Sequence, residues 1–318
     1  MVNNNNDNLN NDNFRSGFVG LIGRPNVGKS TLLNYVSGTR LAITSHKAQT
    51  TRNLIRAVYD DDDAQIVFLD TPGMHQPKNK LGNYMVSAAR QGMADADVIL
   101  LLIEAGYRPH VGALEKRILE MASQFKKQVI LVINKTDSAE KEGILPLIEA
   151  FNNEYSFAAI IPVSAKTGDG VELLLGEIKK LLPAGPRYFP EDSYTDQTER
   201  MLAAEMIREQ ILRLTHEEIP HGTAVAIESF EEEYDENDSN ERRHVSISAA
   251  ILCDKSTHKG MIIGKQGQKL KDIGSRARKE IEEMLGCSCY LKLFVKVRED
   301  WRNRNGILND LGYDSRES

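Results

Sequence analysis

Two hydrophobic periods alternate along the first half of the chain. Residues 18–23, 64–70, 97–104, 128–135 and 157–165 are short, rich in β-branched residues and in most cases apolar almost without a break. The stretches between them carry helical patterns. A strand covered by helices on both faces needs no polar side, so such runs predict a doubly wound, largely parallel sheet. Residues 53–59 and 65–69 flank four consecutive aspartates, Asp60 to Asp63. This predicts an antiparallel hairpin at the sheet edge, with a solvated acidic turn rather than a metal site.

The pattern breaks after residue 182. Leu182-Pro183-Ala184-Gly185-Pro186, followed by Pro190, ends a helix and predicts a stiff, extended connector. Beyond it Leu202, Met206, Ile207, Ile211 and Leu214 recur at helical spacing. Residues 223–230 and 244–253 read as strands joined by an acidic loop over 231–243. An amphipathic helix then runs to Leu285, and 289–297 closes as a strand, giving the order α-β-β-α-α-β. The expected layout is a tail over 1–16, an α/β domain over 17–182, a linker over 183–198, an α+β domain over 199–305 and a second tail over 306–318. Eight of the eleven residues 3–13 are asparagine, which offers nothing to bury, so disorder is expected there.

Composition narrows the class. The chain has 318 residues, 41% hydrophobic and 27% charged, with a net charge of −6, as expected of two soluble domains. Cys253, Cys287 and Cys289 are too few for a disulfide framework and lack zinc-site pairing, and Cys287 and Cys289 read as strand residues. A reducing, cytoplasmic setting is expected. No apolar run reaches membrane-spanning length, and the N-terminus lacks a signal-peptide core.

The chemistry sits in the loops after the strands. Gly23-Arg24-Pro25-Asn26-Val27-Gly28-Lys29-Ser30 fits G-x-x-x-x-G-K-[ST] after a strand and before a helix over 30–37. Its glycines let backbone N–H groups, Val27 and Thr31 included, close on phosphates. Lys29 is expected on the β- and γ-oxygens and Ser30 on Mg²⁺. Asn134-Lys135-Thr136-Asp137 follows the next-to-last strand. The Asp137 carboxylate can accept from guanine N1–H and its amine together, whereas adenine presents an acceptor at N1. Ser164-Ala165-Lys166 places a backbone N–H near Ala165 for guanine O6. Asp70-Thr71-Pro72-Gly73 puts Asp70 near Mg²⁺ through water and the Gly73 N–H near the γ-phosphate. In Gln49-Thr50-Thr51-Arg52, Thr51 is the expected switch-loop Mg²⁺ ligand, with Thr50 the alternative.

These motifs resemble the translation-factor-related GTPases over residues 18–182, which implies GTP and GDP as ligands. Met74 stands where many such GTPases carry a water-orienting glutamine. Two readings of Asn26 stand: a ligand for K⁺ that replaces an arginine finger, or a cap for its own loop. After the seam, Gly264-Lys265-Gln266-Gly267 resembles the G-x-x-G loop of a type II KH domain. Lys265 and Lys269 offer charge to phosphate, and Ile262 and Ile263 are expected to floor a groove for unstacked bases. From residue 255 to 304 thirteen Lys or Arg face six Asp or Glu, a nucleic-acid footprint. Trp301 reads as a helix anchor, with base stacking the alternative.

The pair, a P-loop GTPase domain with an α+β KH domain, resembles the Era family of bacterial ribosome-assembly GTPases over about 18–305. That resemblance implies binding near the 3′ end of small-subunit ribosomal RNA, a part in small-subunit maturation and, in some members, peripheral contact with the inner membrane. A monomer is expected. The rival reading is an RNA-binding scaffold that binds GTP with little turnover; an ATP-using nucleotide kinase is disfavoured by Asp137.

Overall fold

The computed structural model describes residues 14–43, 50–74, 77–106, 108–235 and 241–313. The Asn-rich segment 3–13 lies outside them. GTP and Mg²⁺ are expected to order two switch segments, 44–53 and 73–80, of which 44–49 and 75–76 also lie outside the described residues.

Six strands form the first sheet: β1 (Arg15–Gly23), β2 (Ile55–Asp60), β3 (Ala64–Asp70), β4 (Val98–Glu104), β5 (Gln128–Asn134) and β6 (Ala159–Pro162), in the order β2-β3-β1-β4-β5-β6. All pair in parallel except β2 and β3, the edge hairpin. Helices α1 (Lys29–Val36) and α5 (Val171–Leu181) cover one face. Helices α2 (Lys80–Asp95), α3 (Ala113–Gln124) and α4 (Ile144–Glu154) cover the other. β4 explains the uninterrupted apolar runs. Val98, Leu100 and Leu102 enter one core while Ile99, Leu101 and Ile103 enter the other. Burying each such side chain contributes roughly 1.5–3 kcal/mol, so neither face tolerates a polar residue.

β1 starts at Arg15, inside the segment expected to be a tail, because the connector returns to pair with it. Arg15 Nη1 donates to the Leu182 carbonyl at 2.5 Å, Ser16 N to Pro183 O at 3.1 Å and Gly185 N to Phe14 O at 3.1 Å. The buried Gln65 side chain accepts from the N–H groups of Tyr188 (2.7 Å) and Phe189 (2.9 Å) and donates to Phe189 O (3.0 Å). Further along, Val58 N donates to Tyr194 O at 2.9 Å, and Arg56 pairs with Asp196 at 2.6 Å. The acidic turn is therefore not only solvated: Asp60 binds Arg187 at 3.1 Å and Asp61 pairs with Lys179.

The second unit comprises α6 (Glu199–Leu214), β7 (Thr223–Tyr234), β8 (Arg242–Cys253), α7 (Ser256–Ile263), α8 (Gln268–Leu285) and β9 (Ser288–Val297). Its sheet order is β7-β8-β9, with β7 and β8 antiparallel and β8 and β9 parallel. The acidic connector is strand for its first four residues, Glu231 to Tyr234. Arg242 opposite supplies the compensating charge, 2.9 Å from Glu232 and 2.6 Å from Glu199. Residues 236–240 of that connector lie outside the described residues.

The expected C-terminal tail is structured from residue 306 to 313; 314–318 lie outside the described residues. Helix α9 (Asn305–Asp310) buries Leu308, and Tyr313 follows it into a cluster with Trp301 and with Leu81 and Met85 of α2. Trp301 is fully buried and its indole N–H donates to the Gly222 carbonyl at 3.0 Å. It anchors the seam between the two units and cannot stack on a base. No helix among the described residues is long and apolar enough to cross a membrane.

Candidate functional site

The carboxyl ends of the parallel strands bring the predicted loops together, as expected where strand order reverses about β1. In the first loop Gly28 takes φ 100, and a Cβ there would stand 2.1 Å from Asn134 Nδ2. A Cβ at Gly23 would stand 2.5 Å from the Leu102 carbonyl. The loop closes this tightly only with glycine at both positions. Asn26 turns through φ 67, and the carbonyl of buried Val27 accepts from Asn134 Nδ2 at 2.8 Å. Helix α1 starts with no side-chain cap, so first-turn N–H groups, Ser30 and Thr31 among them, present partial positive charge. The buried Lys29 ammonium lies 3.3 Å from Gly23 O and 3.2 Å from Arg24 O. Burial lowers its pKa, and Asp70 opposes that shift.

Three oxygens converge beside it. Ser30 Oγ donates to Asp70 Oδ2 at 2.8 Å, Thr51 Oγ1 donates to the same oxygen at 2.9 Å, and the two hydroxyls are 3.0 Å apart. Asp70 is fully buried, and its other oxygen has no hydrogen-bond partner. Burial pushes its pKa up against the nearby ammonium and the two hydroxyls. A buried carboxylate with an unanswered oxygen, flanked by hydroxyls, is a donor set for a small hard cation. Of the two threonines, Thr51 is the one turned in. Gly73 lies against the loop, since a Cβ there would approach Pro25 to 3.1 Å. Met74 is buried in the core cluster it shares with α2 and α3.

At the far end Asn134 acts as a tie. Its amide donates to Val27 O, and its oxygen accepts from the Ala165 N–H at 2.9 Å. The Ala165 N–H, in the loop expected to meet guanine O6, here donates to Asn134, which ties the two loops together. Asp137 is oriented by Ser164, whose hydroxyl donates to it at 2.8 Å. Lys135, at φ 66, pairs with Glu104, and Lys166 is exposed nearby. Two acids were missed by motif reading. Glu104 faces Asn134 in the β4–β5 register, which strand alignment alone predicts. Glu115 binds Arg24 of the first loop through two contacts, 2.5 and 2.9 Å.

In the second unit Gly264 (φ 74), Gln266 (φ 51) and Gly267 (φ 80) form the turn between α7 and α8. Lys265 and Gln266 are exposed, and the half-buried Lys269 packs its stem beside Gly264. A cleft opens between Gly267, Leu270, Lys271, Gly274 and Arg278 of α8 and its start and Leu291 and Leu293 of β9. Its floor is Leu270, Leu291 and Leu293. Ile262 is fully buried in the core and Ile263 packs on that core, so neither lines the cleft as expected. The helical phase of α7 turns Ile262 inward. Lys271, Gly274 and Arg278 were missed; their recurrence with Gly267 at helical spacing is the signal that could have located this wall.

Residues 18–135 match the 50S ribosome-binding GTPase family, and residues 218–302 match the KH domain. GTPase Era of Ruminiclostridium cellulolyticum is 47% identical over 305 residues, 96% of this chain and 99% of its own. The chain belongs to the GTPase Era family. GTPase Era of Syntrophus aciditrophicus is 48% identical over 95% of this chain and 96% of its own. A crystal structure of Aquifex aeolicus Era bound to GDP·AlF4⁻ superposes with a TM-score of 0.88 at 41% identity, covering 94% of this chain and 99% of that one. Era in complex with MgGDPNP and nucleotides 1506–1542 of 16S ribosomal RNA gives 0.87 at the same identity and coverage. As in Era, a P-loop GTPase domain is joined to a C-terminal KH domain, and the protein is a GTPase.

Proposed function

We propose that this GTPase is a GTP-controlled RNA-binding switch. It takes GTP with Mg²⁺, and its KH cleft takes single-stranded RNA near the 3′ end of 16S ribosomal RNA during assembly and maturation of the small subunit. The observation that carries the reading is the bonding of residues 50–52. Arg208 of α6 donates to the Thr50 carbonyl, Thr51 faces Asp70 and Ser30, and Arg52 donates to Thr223 O at 2.7 Å and His221 O at 3.3 Å. One tripeptide therefore joins the phosphate end of one domain to the backbone of the other. The relative carrying MgGDPNP and 16S RNA together supports the same pairing of ligands.

Ser30, Thr51 and Asp70 would hold Mg²⁺, and the unanswered Asp70 oxygen and the two hydroxyls fit it. The metal, when bound, neutralises charge on the transferring phosphoryl group. Lys29 brings its ammonium to the phosphates in place of the Gly23 and Arg24 carbonyls. Gly73 offers its N–H to the γ-phosphate. Asp137, fixed by Ser164, reads the guanine edge, and the Ser164-Ala165-Lys166 loop supplies the backbone N–H for O6. Asn26 would contribute its amide oxygen to K⁺. In the KH cleft Lys265, Lys269, Lys271 and Arg278 meet phosphates while Leu270, Leu291 and Leu293 support bases.

The test is the affinity of a fluorescent single-stranded RNA from the 16S 3′ end, measured with GDP and with a non-hydrolysable GTP analogue at two salt concentrations. A gain with the analogue is expected. Equal affinities would replace the switch by the scaffold reading, which Met74 favours because a thioether cannot polarise water where many GTPases carry a glutamine.

A further inference from the structure

The face of β9 that turns away from the KH cleft carries a pattern the reading above does not use. Alternate residues of a strand share a face, so Tyr290, Lys292, Phe294 and Lys296 form one row: aromatic, basic, aromatic, basic. Tyr290 is 58% exposed and Phe294 38%, both unusual for rings on a folded sheet. Lys292 Nζ lies 5.0 Å from the centre of the Phe294 ring. Lys296 is the only member of the row with an ion-pair partner among the described residues, Glu228 at 2.5 Å.

The neighbours on that face are small. Ser246 lies beside Tyr290 in the register, Ser248 beside Lys292 and Ala250 beside Phe294, with Ser229 across from Ser248. The upper end of the face is closed: Ala224, Ala250 and Leu252 pack under Trp301, Leu308 and Tyr313. At the lower end small side chains of β8 lie beside the larger ones of β9, the sheet edge. The acids on this side, Glu228, Glu231 and Glu233, all belong to the opposite edge strand; Glu228 reaches across to Lys296, which leaves Lys292 as the rim cation with no ion-pair partner among the described residues.

We propose that this outer face of β9 is a second single-stranded RNA contact, a stacking platform on which Tyr290 and Phe294 each take a base and Lys292 takes the intervening phosphate. The proposal rests on the RNA reading of the KH cleft. Both surfaces share β9: Leu291 and Leu293 wall the cleft on one side, and Tyr290 and Phe294 project from the other. A cleft of this kind holds about four nucleotides. A longer strand leaving it at the exposed edge turns directly onto the platform. The two rings are about 13 Å apart along the strand at about 3.3 Å per residue, so they take bases two nucleotides apart, with the bridging backbone passing Lys292. Exposed rings flanked by lysines suit nucleic acid, since every base has a face that stacks and the backbone needs the charge.

The experiment uses the full chain with 6-nucleotide and 14-nucleotide fluorescent single-stranded RNAs. Y290A/F294A is expected to weaken the 14-mer by about tenfold or more, within the range for loss of base stacking, and to leave the 6-mer bound as before. K292A should lower the salt slope for the 14-mer by about 0.7, as for one phosphate contact on a single strand. Cross-linking of a 4-thiouridine 14-mer to the peptide bearing Tyr290 is expected. Unchanged 14-mer affinity and salt slope in these variants would overturn the platform. Lys265→Asp separates the two readings. Loss of both RNAs there supports the cleft; retention of both would overturn the cleft while the Y290A/F294A result still judges the platform.

Discussion

Arg208 and Thr50, 158 residues apart, are joined across the domain seam: the guanidinium donates to the Thr50 carbonyl, one residue before the threonine that faces Asp70. Arg208 is almost fully buried, and the Glu205 carboxylate, 2.7 Å away, outweighs burial and keeps its pKa high. A charge held this firmly makes the Thr50 backbone a fixed point of the KH domain.

Replacing Arg208 with Met, together with Glu205→Gln to avoid stranding a buried carboxylate, should leave GDP affinity near its starting value. The gain in RNA affinity produced by the GTP analogue should shrink. Coupling between sites is commonly about 5- to 150-fold, and the variant should lose most of whatever the protein has. RNA titrations in both nucleotide states measure it, and by reciprocity nucleotide titrations with and without RNA must show an equal loss.

Asp137→Asn replaces an acceptor by a group that also donates. Each charge-assisted bond to guanine is worth roughly 1.5–3 kcal/mol, so losing two should weaken GTP by about a hundredfold or more. Xanthosine nucleotides, which carry a carbonyl in place of the guanine amine, should bind the variant better than GTP does. Competition with a fluorescent GDP reads both effects.

If Asn26 ligates K⁺, hydrolysis in K⁺ should exceed that in Na⁺ at equal ionic strength. An arginine finger supplies roughly 10³–10⁵ in rate, and a monovalent ion in that role should supply about tenfold or more. Asn26→Ala should bring the two buffers level. Equal rates in the parent protein would remove the cation from the reaction.

The Arg24–Glu115 pair predicts an acid-side effect. Burial raises the Glu115 carboxyl, but two contacts from the Arg24 guanidinium more than offset it and leave the group below its ordinary value of 4.5. A carboxyl depressed on folding contributes stability above its unfolded pKa, and that contribution is lost as pH falls through the folded value. Glu115→Gln should therefore lower the melting temperature at pH 7, and the two curves should converge as pH falls through the depressed folded value of Glu115. Calorimetry across that range checks the sign.

Much of the nucleotide site was legible because each motif is local: a loop of four to eight residues placed by the strand before it. Ser30, Thr51 and Asp70 meet at 3.0 Å or less without any signal beyond their motifs. The doubly wound sheet was legible for the same reason, since an apolar run states its own burial. What escaped were the long-range polar contacts. Nothing near Arg208 in sequence says that it reaches Thr50, nothing near Gln65 says that it binds residues 188 and 189, and the phase of a one-turn apolar pair did not tell which of Ile262 and Ile263 faces the core. Helix α9 was missed because Leu308 and Tyr313 acquire their purpose only against Leu81 and Met85, which lie in the other domain.

The connector that the prolines marked as a spacer is sewn to β1, β2 and β3 from Leu182 to Asp196. Mechanically it is an arm cast in one piece with the nucleotide domain. Any swing of the KH domain must then pivot on the two residues between Asp196 and the start of α6, and on the Arg208 and Arg52 contacts across the seam. Lengthening the chain between 183 and 195 would leave that pivot where it is, whereas a single inserted residue after Gln197 would change the angle at which RNA is presented.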